Sequence, residues 1–261
     1  MRTLSIIAAT LIVLTVLTSW KHKVKAPPGT VQVSENLFFD KTEITNLNWK
    51  EYLSWIEKHY GKESQEYKAA YPDTMVWVSN DLKITPLKTF YFNHPALEKY
   101  PVVGVSYEQA TAFCKWRSDR VNEQLYIKSH KIKGKMPAEI KIPQTVKYRL
   151  PTKQEWENVA SVGFSDRVKK KMAKADKPEI NFKYDMKKEN SMTTTEVYSY
   201  YPNKLGIYNM LGNVCEMTSE KGIAKGGSWM NKESEVTVAK DFKYTKPTAW
   251  IGFRCVCNII E

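Results

Sequence analysis

The sequence predicts one α+β domain that follows an N-terminal targeting segment. Of the 261 residues, 42% are apolar and 12% are aromatic, which is enough to form a hydrophobic core. Two S/T-x-x-E/Q capping boxes precede apolar residues at helical spacing and predict helices, while Val31–Phe39 is predicted as the first strand. The length allows one large domain or two small ones, and the order of the motifs described below favours one.

The excess of basic residues favours an anionic partner other than nucleic acid. The formal net charge is +12, yet only six of the forty basic residues are arginines. Lysine is a solvated point charge and lacks the planar fork that binds phosphates and bases. We therefore expect no nucleic acid, and anionic lipid, glycan or an acidic protein instead. One basic run, Arg167–Lys177, is predicted as a solvated loop or helix face, with binding to an acidic surface as the alternative.

The N-terminus is predicted to direct export. Residues 1–20 combine the positive charge of Arg2 with an apolar run, Leu4–Leu17, that is short for a membrane span, so they are a signal peptide or a membrane anchor. The three residues before Trp20 are typical of a bacterial lipoprotein, but tryptophan cannot be lipidated, so the segment is retained as an anchor or is cut by another route. Residues 21–30 are predicted as a linker and 31–261 as the domain.

The first helix is predicted to start after the strand. Thr45 or Asn46 is a suitable N-cap, and Gly61 is a suitable stop. The apolar face of this helix is predicted to carry Trp49, Leu53, Ile56 and Tyr60.

The two capping boxes predict the next helices. Ser106 and Gln109 form the first box, Thr152 and Glu155 form the second, and Gly163 is the expected stop of the second helix. The side chains expected along the buried sides of these helices are Ala110, Phe113, Cys114, Arg117 and Val121 in the first, and Trp156, Val159 and Ala160 in the second.

Several separated motifs occur in an order that identifies a family resemblance. They are LFFDKTEITN at Leu37–Asn46, YPVVGVSYEQATAFCKW at Tyr100–Trp116, YRLPTKQEWENVA at Tyr148–Ala160, the glycine-rich Gly206–Trp229 and IGFRCV at Ile251–Val256. Together they resemble the formylglycine-generating enzyme, or sulfatase-modifying factor, superfamily. The resemblance implies a variant of the C-type lectin-like fold, irregular, with short strands and a few helices.

The stretch from Tyr91 to Glu123 resembles most the branch that contains gliding-motility and type IX secretion lipoproteins. This resemblance implies an exported, periplasmic, membrane-tethered protein, with the outer membrane favoured and envelope proteins as partners. Compared with the sulfatase-modifying enzymes, Glu123–Lys147 is a Lys-rich insertion, which we interpret as a solvated excursion or, alternatively, as a partner-docking arm. The sequence specifies no oligomeric state.

The positions that bind copper in active members of the family differ in this chain. Active members have a cysteine two residues after the GGSW motif and a second cysteine five residues later, and the two soft thiolates hold copper. The matching residues here are Asn231 and Val236, so neither copper nor the oxidase chemistry is expected. The four histidines are widely spaced and predict no metal site of their own.

The resemblance implies calcium as the possible cofactor. Asn213, the backbone of Val214 and Glu216 match a family calcium site, and Asn181 with the carbonyl of Phe182 matches part of a second one. The alternative at the first site is that Asn213 and Glu216 cap a turn and pair with a nearby lysine.

The resemblance also implies a disulfide between Cys114 and Cys255, with two buried free thiols as the alternative. Cys257 lies two residues beyond Cys255 and on the same face of a strand, so the partner of Cys114 stays open between them. Cys215 occupies a position at which the family usually has tryptophan.

These features favour a non-catalytic, membrane-tethered envelope scaffold or partner-binding protein, in a gliding-motility or type IX secretion-like machinery. One alternative is a glycan- or ligand-binding module, for which eight tryptophans and fifteen tyrosines are suitable. Another is an enzyme of altered chemistry in the same cleft that uses Glu233, Glu235 or Tyr244.

Overall fold

The computed structural model describes residues 25–78, 86–134, 140–174, 182 and 193–260. The predicted targeting segment, Asn181 and the first residues of the linker lie outside this part of the chain. The described helices are α1 Asn46–Tyr60, α2 Gln65–Ala70, α3 Leu87–Asn93, α4 Tyr107–Ser129, α5 Lys153–Ala160 and α6 Asp166–Met172. The described strands are β1 Thr30–Ser34, β2 Leu37–Asp40, β3 Val146–Arg149, β4 Cys215–Met217, β5 Ile223–Lys225, β6 Phe242–Lys243, β7 Ile251–Gly252 and β8 Val256–Ile259.

Within the described residues, the strands form two small four-stranded sheets, and with the helices they confirm the predicted α+β class. The first sheet has the antiparallel order β1-β2-β8-β3, and the second has the order β6-β5-β4-β7, in which β4 and β7 are parallel. The predicted strand Val31–Phe39 is wrong in its extent. A turn at Glu35 and Asn36 divides it into β1 and β2, which pair with each other through Val31 and Phe39.

The helix starts agree with the capping signals. Thr45, Ser106 and Thr152 each accept a hydrogen bond from the backbone N–H three residues later, and each capping box is complete. The predicted apolar face of α1 is correct except for Tyr60 at the end of the helix, which is 55% exposed. Tyr52, in the middle of the helix, is buried as well.

The predicted insertion Glu123–Lys147 begins as a continuation of α4, which ends at Ser129. Its return to the domain is fixed by the buried side chain of Asn122. The Asn122 Oδ1 atom accepts hydrogen bonds from the backbone N–H groups of Thr145 at 2.9 Å and Val146 at 3.0 Å. Since β3 starts at Val146, this amide sets where the chain re-enters the first sheet.

Aromatic side chains fill the core between the helices and the two sheets. Trp49 of α1 stacks on Phe113 of α4 with ring centroids 5.3 Å apart, and Phe253 meets both rings edge-on. Two further clusters surround Trp77 and Trp156. Among the described residues, no helix is long and apolar enough to cross a bilayer.

Candidate functional site

The glycine-rich stretch and the IGFRCV motif meet at a buried ion pair. Parallel pairing of β4 with β7 places Glu216 opposite Gly252, so that Arg254 lies two residues further along. The Arg254 Nε atom donates to Glu216 Oε2 at 2.6 Å, and Nη2 donates to Oε1 at 2.5 Å. Trp156 Nε1 also donates to Oε2, at 2.7 Å. Both charged side chains are fully buried, so each depends on the other for its hydrogen bonds.

A second buried pair connects the N-terminal part of the chain to the same region. The Arg117 guanidinium donates to both oxygens of Asp40, at 2.7 and 2.8 Å, and lies over the Tyr148 ring at 4.2 Å. Asp40 also accepts from the backbone N–H of Cys255, while its carbonyl accepts from Arg254. The two arginines therefore fix β2, α4 and the segment between β7 and β8 against one another.

A third buried carboxylate, Glu43, lies beside these pairs. It accepts hydrogen bonds from the side-chain amides of Asn213 at 2.9 Å and Asn209 at 3.1 Å. Burial raises the pKa of Glu43, Arg254 lowers it and the charge of Glu216 raises it, and the net result is a pKa of about 7. Sequence reasoning missed Glu43 as a buried group, although its place in the LFFDKTEITN motif was a signal.

The donor set at Asn213, Val214 and Glu216 does not fit calcium in this arrangement. Three N–H donors already converge on the two carboxylate oxygens of Glu216, and the Arg254 guanidinium occupies the position from which a cation would approach. The Asn213 Oδ1 atom accepts from the backbone N–H of Thr195 at 2.8 Å. Glu216 thus pairs with an arginine, where sequence reasoning offered a lysine.

The second proposed calcium position is described only in part. Phe182 is buried, and Asn181 lies outside the described residues. In the part of the chain that the structure describes, no three His, Cys, Asp or Glu side chains are grouped so that they could hold a metal ion.

The two positions that correspond to copper ligands have structural contacts instead. The Asn231 Oδ1 atom accepts from the backbone N–H of Ser228 at 2.9 Å and from its hydroxyl at 3.0 Å. Val236 packs against Gly227, where an added Cβ would lie 2.4 Å from Val236 Cγ2. An amide oxygen that closes a turn and an isopropyl group in van der Waals contact offer no soft ligand to a metal.

Cys114 and Cys255 are brought together, but not as the predicted disulfide. Their sulfurs are 3.5 Å apart and both are thiols, whereas a disulfide requires about 2.05 Å. The structure thus brings the two cysteines together without the bond, and the disulfide itself stays a prediction. Burial raises the pKa of Cys255 well above its usual value, which disfavours the nucleophilic thiolate.

The other two cysteines are also buried thiols. Cys257 lies in β8, opposite Phe38 on one side and Tyr148 on the other, and burial raises its pKa to about 12. Burial likewise raises the pKa of Cys215. Neither environment activates the sulfur as a nucleophile.

The residues suggested for altered enzyme chemistry do not form a catalytic group in the described part of the chain. Glu235 accepts from the backbone N–H of Lys232 at 3.0 Å, and Glu233 is exposed. Burial raises the pKa of Tyr244 to about 12, so its hydroxyl stays protonated at neutral pH. None of the three contacts another of them among the described contacts.

Lys225 is a buried charge that sequence reasoning missed. Its ammonium group is fully buried and donates to Glu157 at 2.6 Å and to Asp241 at 3.0 Å. Asp241 in turn pairs with Lys153 at 2.5 Å. This network joins β5 to α5, directly before the glycines of the GGSW motif. A lysine inside the short apolar strand was the available signal.

Comparison of the sequence with known proteins finds one family and several relatives. Residues 9–259 match the model of the sulfatase-modifying factor enzyme 1-like domain family. The chain is 26% identical over 87% of its length to a serine/threonine-protein kinase, pkn1, of Chlamydia pneumoniae, of which it spans 34%. It is 25% identical over 81% of its length to the inactive C-alpha-formylglycine-generating enzyme 2 of Bos taurus, of which it spans 74%.

A solved structure gives the same result for the fold. The crystal structure of CarF aligns with a TM-score of 0.51 and 21% identity, over 89% of this chain and 96% of CarF. The predicted fold, with its short strands and few helices, is thereby confirmed. Because the family match covers nearly the whole sequence, the chain belongs to the sulfatase-modifying factor enzyme 1-like domain family.

Proposed function

We propose that this protein is a non-catalytic member of its family that acts as an envelope scaffold or partner-binding subunit. The observation that carries the proposal is the state of the two copper positions. Asn231 is a hydrogen-bond acceptor inside a turn, and Val236 fills the space above Gly227. One relative in the family is itself named as inactive, which supports the same interpretation.

The polar residues near these positions stabilise the fold. Glu216, Asp40 and Lys225 are each satisfied by partners on other elements, and each partner joins two parts of the chain. A general acid or base needs a free lone pair or proton directed at a substrate. The arrangement therefore favours a rigid domain that presents a surface.

The proposed setting is the cell envelope. The apolar run in residues 1–20 supports export and membrane attachment, and the linker after it supports a tethered domain. The periplasmic face of the outer membrane, and a gliding-motility or type IX secretion-like apparatus, rest on the resemblance of the stretch between Tyr91 and Glu123.

The Lys-rich insertion is the proposed docking arm for a protein partner. Lys128, Lys131 and Lys133 are exposed at the end of α4 and just beyond it, and none has an ion-pair partner among the described residues. The experiment is cross-linking in intact cells, followed by purification of the tagged full chain and identification of what is attached. We expect a discrete set of envelope proteins that is lost when these three lysines are changed to glutamine.

Two outcomes of this experiment contradict the proposal. Capture of the same proteins by the triple variant would show that the arm is not the docking surface. Absence of any cross-linked envelope protein would remove the scaffold function itself. The matched control changes the exposed Lys58, Lys62 and Lys88 to glutamine, which removes the same charge at another place.

A cleft between α1 and α4 favours a second candidate, a glycan- or ligand-binding module. The cleft has a volume of about 510 Å³ and is bordered by Tyr52, Trp55, Tyr60 and Trp116. The carboxylates of Glu66 and Asp119 lie at the same cleft and could accept hydrogen bonds from hydroxyl groups. Saturable binding of a cell-wall oligosaccharide that is lost in Trp116→Ala would favour this function over the first.

A further inference from the structure

The surface around α6 carries exposed positive charges that have no ion-pair partner among the described residues. In and directly after this helix, Asp166 is the single carboxylate of the described segment. Met172 is buried and Val168 is half-buried, so the apolar side of the helix is fixed to the domain. The exposed cations on the other side are Arg167, Lys169, Lys170, Lys171 and Lys174.

This surface extends onto the neighbouring loop and is bordered by aromatic rings. The backbone N–H of Lys204 donates to the carbonyl of Gly163 at 2.8 Å, which places this exposed lysine next to the start of α6. Phe164, Tyr200 and Tyr201 are half-buried and line a small cavity of about 130 Å³ beside Gly163. We use the name α6 surface for Lys204 together with the five cations of the helix segment.

The N-terminal strand lies close to the α6 surface. Val31 and Val33 of β1 pack in the same hydrophobic cluster as Ala160 and Leu205. Ala160 ends α5 just before α6, and Leu205 follows Lys204. The linker that precedes β1 spans at most about 30 Å when extended, at roughly 3.3 Å per residue. A membrane held by the preceding segment is therefore within reach of this surface.

We propose that the α6 surface binds the anionic headgroup layer of a membrane and holds the domain against it. This inference rests on the proposed membrane attachment of residues 1–20. A single acyl chain gives only weak, reversible attachment, and a polybasic patch is a usual second signal. The α6 surface would add to the apolar segment in the same way. Lysines that act as separate point charges suit a diffuse anionic surface, and half-buried aromatic rings suit the interface between headgroups and acyl chains.

Other anionic partners fit the α6 surface less well. Specific recognition of phosphates in nucleic acid favours bidentate arginine, and this surface has one arginine among six cations. The lysines at the end of α6 also interact favourably with the helix dipole. If that were their whole role, their substitution would leave membrane binding unchanged.

The test is cosedimentation of the full chain with vesicles of phosphatidylcholine, with and without phosphatidylglycerol. The variant changes Lys169, Lys170 and Lys171 to glutamine, and the matched control changes Lys58, Lys62 and Lys88, three exposed lysines elsewhere on the domain, to glutamine. We expect phosphatidylglycerol to increase binding by the wild type and the control. The α6 variant should lose on the order of a hundredfold, since each lysine near an anionic surface is worth roughly fivefold.

Each other outcome overturns the inference. Equal binding to neutral and anionic vesicles would show that the apolar segment alone attaches the chain. Equal losses in the α6 variant and the control would show attraction by net charge without a defined surface. Tight binding of an acidic protein or of nucleic acid by the α6 surface, without binding to phosphatidylglycerol, would assign it to another partner. The vesicle assay contains no protein partner. A failure to bind anionic vesicles would therefore refute the membrane inference without affecting the cross-linking test of the scaffold function.

Melting curves of the wild type, the α6 variant and the control show whether all three are folded when their vesicle binding is compared. All three proteins should melt at nearly the same temperature, because the substituted lysines are exposed and glutamine is a good helix former. Molar salt should abolish the added binding to phosphatidylglycerol, since exposed charges are screened beyond about 3 Å at that ionic strength.

Discussion

Replacement of Arg254 by methionine should strongly destabilise the domain. Arg254 is fully buried, and its guanidinium makes two hydrogen bonds to Glu216 and one each to the carbonyls of Asp40 and Tyr208. Methionine fills similar space but leaves Glu216 as a buried charge without its counter-ion. Removal of one partner of a buried ion pair costs about 3–5 kcal/mol, a large part of a typical stability of about 5–15 kcal/mol.

Urea unfolding followed by tryptophan fluorescence measures this effect. With an m value of about 2 kcal/mol/M, a loss of about 4 kcal/mol lowers the urea midpoint by about 2 M. Glu216→Gln in the Arg254→Met background should recover part of the loss, because the amide removes the charge and can still accept from Trp156. The control Lys68→Met breaks an exposed pair with Glu63 and should cost less than about 1 kcal/mol. A cost below about 1 kcal/mol for Arg254→Met, or strict additivity in the double variant, would refute the reasoning.

Three further predictions concern the same region. Since burial raises the pKa of Glu43 from 4.5 to about 7, its protonated form adds stability below about pH 4.5 that is lost as the pH rises through about 7. The change in the free energy of unfolding over this pH range is up to about 3 kcal/mol. When unfolding is measured at several pH values, Glu43→Gln should lack this fall in stability with pH, and an unchanged pH dependence would contradict the prediction. Gly227→Ala should destabilise the domain by about 1–3 kcal/mol, because the added Cβ would lie 2.4 Å from Val236 and the backbone is left-handed there. Val236→Ala in the same chain should restore part of this stability in urea unfolding, and no recovery would contradict the packing argument. The melting temperature should not change on addition of EDTA or calcium, because Glu216 is already paired with Arg254, and a loss on chelation that calcium reverses would contradict this account.

The parts of the fold that the sequence predicts are those with local causes. Thr45, Ser106 and Thr152 start helices because each cap bonds a backbone group three residues away. The end of α4 was not predictable in this way. The chain that leaves α4 returns to the first sheet through the hydrogen bonds of Asn122 to the start of β3, more than twenty residues away in sequence.

The candidate site shows the same limit. The loss of two copper cysteines is visible in the sequence because it concerns single positions in a motif. The pairing of Glu216 with Arg254, and of Glu43 with Asn213, joins residues 38 and 170 positions apart. No local pattern specifies such pairs, so the sequence offered calcium, or alternatively a lysine, as the partner of Glu216 and did not identify Arg254. The separation of the thiols of Cys114 and Cys255 likewise depends on packing across 141 residues.

We propose that this chain does not oxidise a substrate cysteine, and an assay of that reaction is the decisive measurement. The purified protein is incubated with copper and oxygen together with a peptide that carries a sulfatase motif, and the peptide is then analysed by mass spectrometry. Since Asn231 and Val236 provide no thiolate, we expect an unchanged peptide cysteine and no stoichiometric copper on the protein. Conversion of the cysteine to formylglycine, beyond that seen without the protein, would contradict the account.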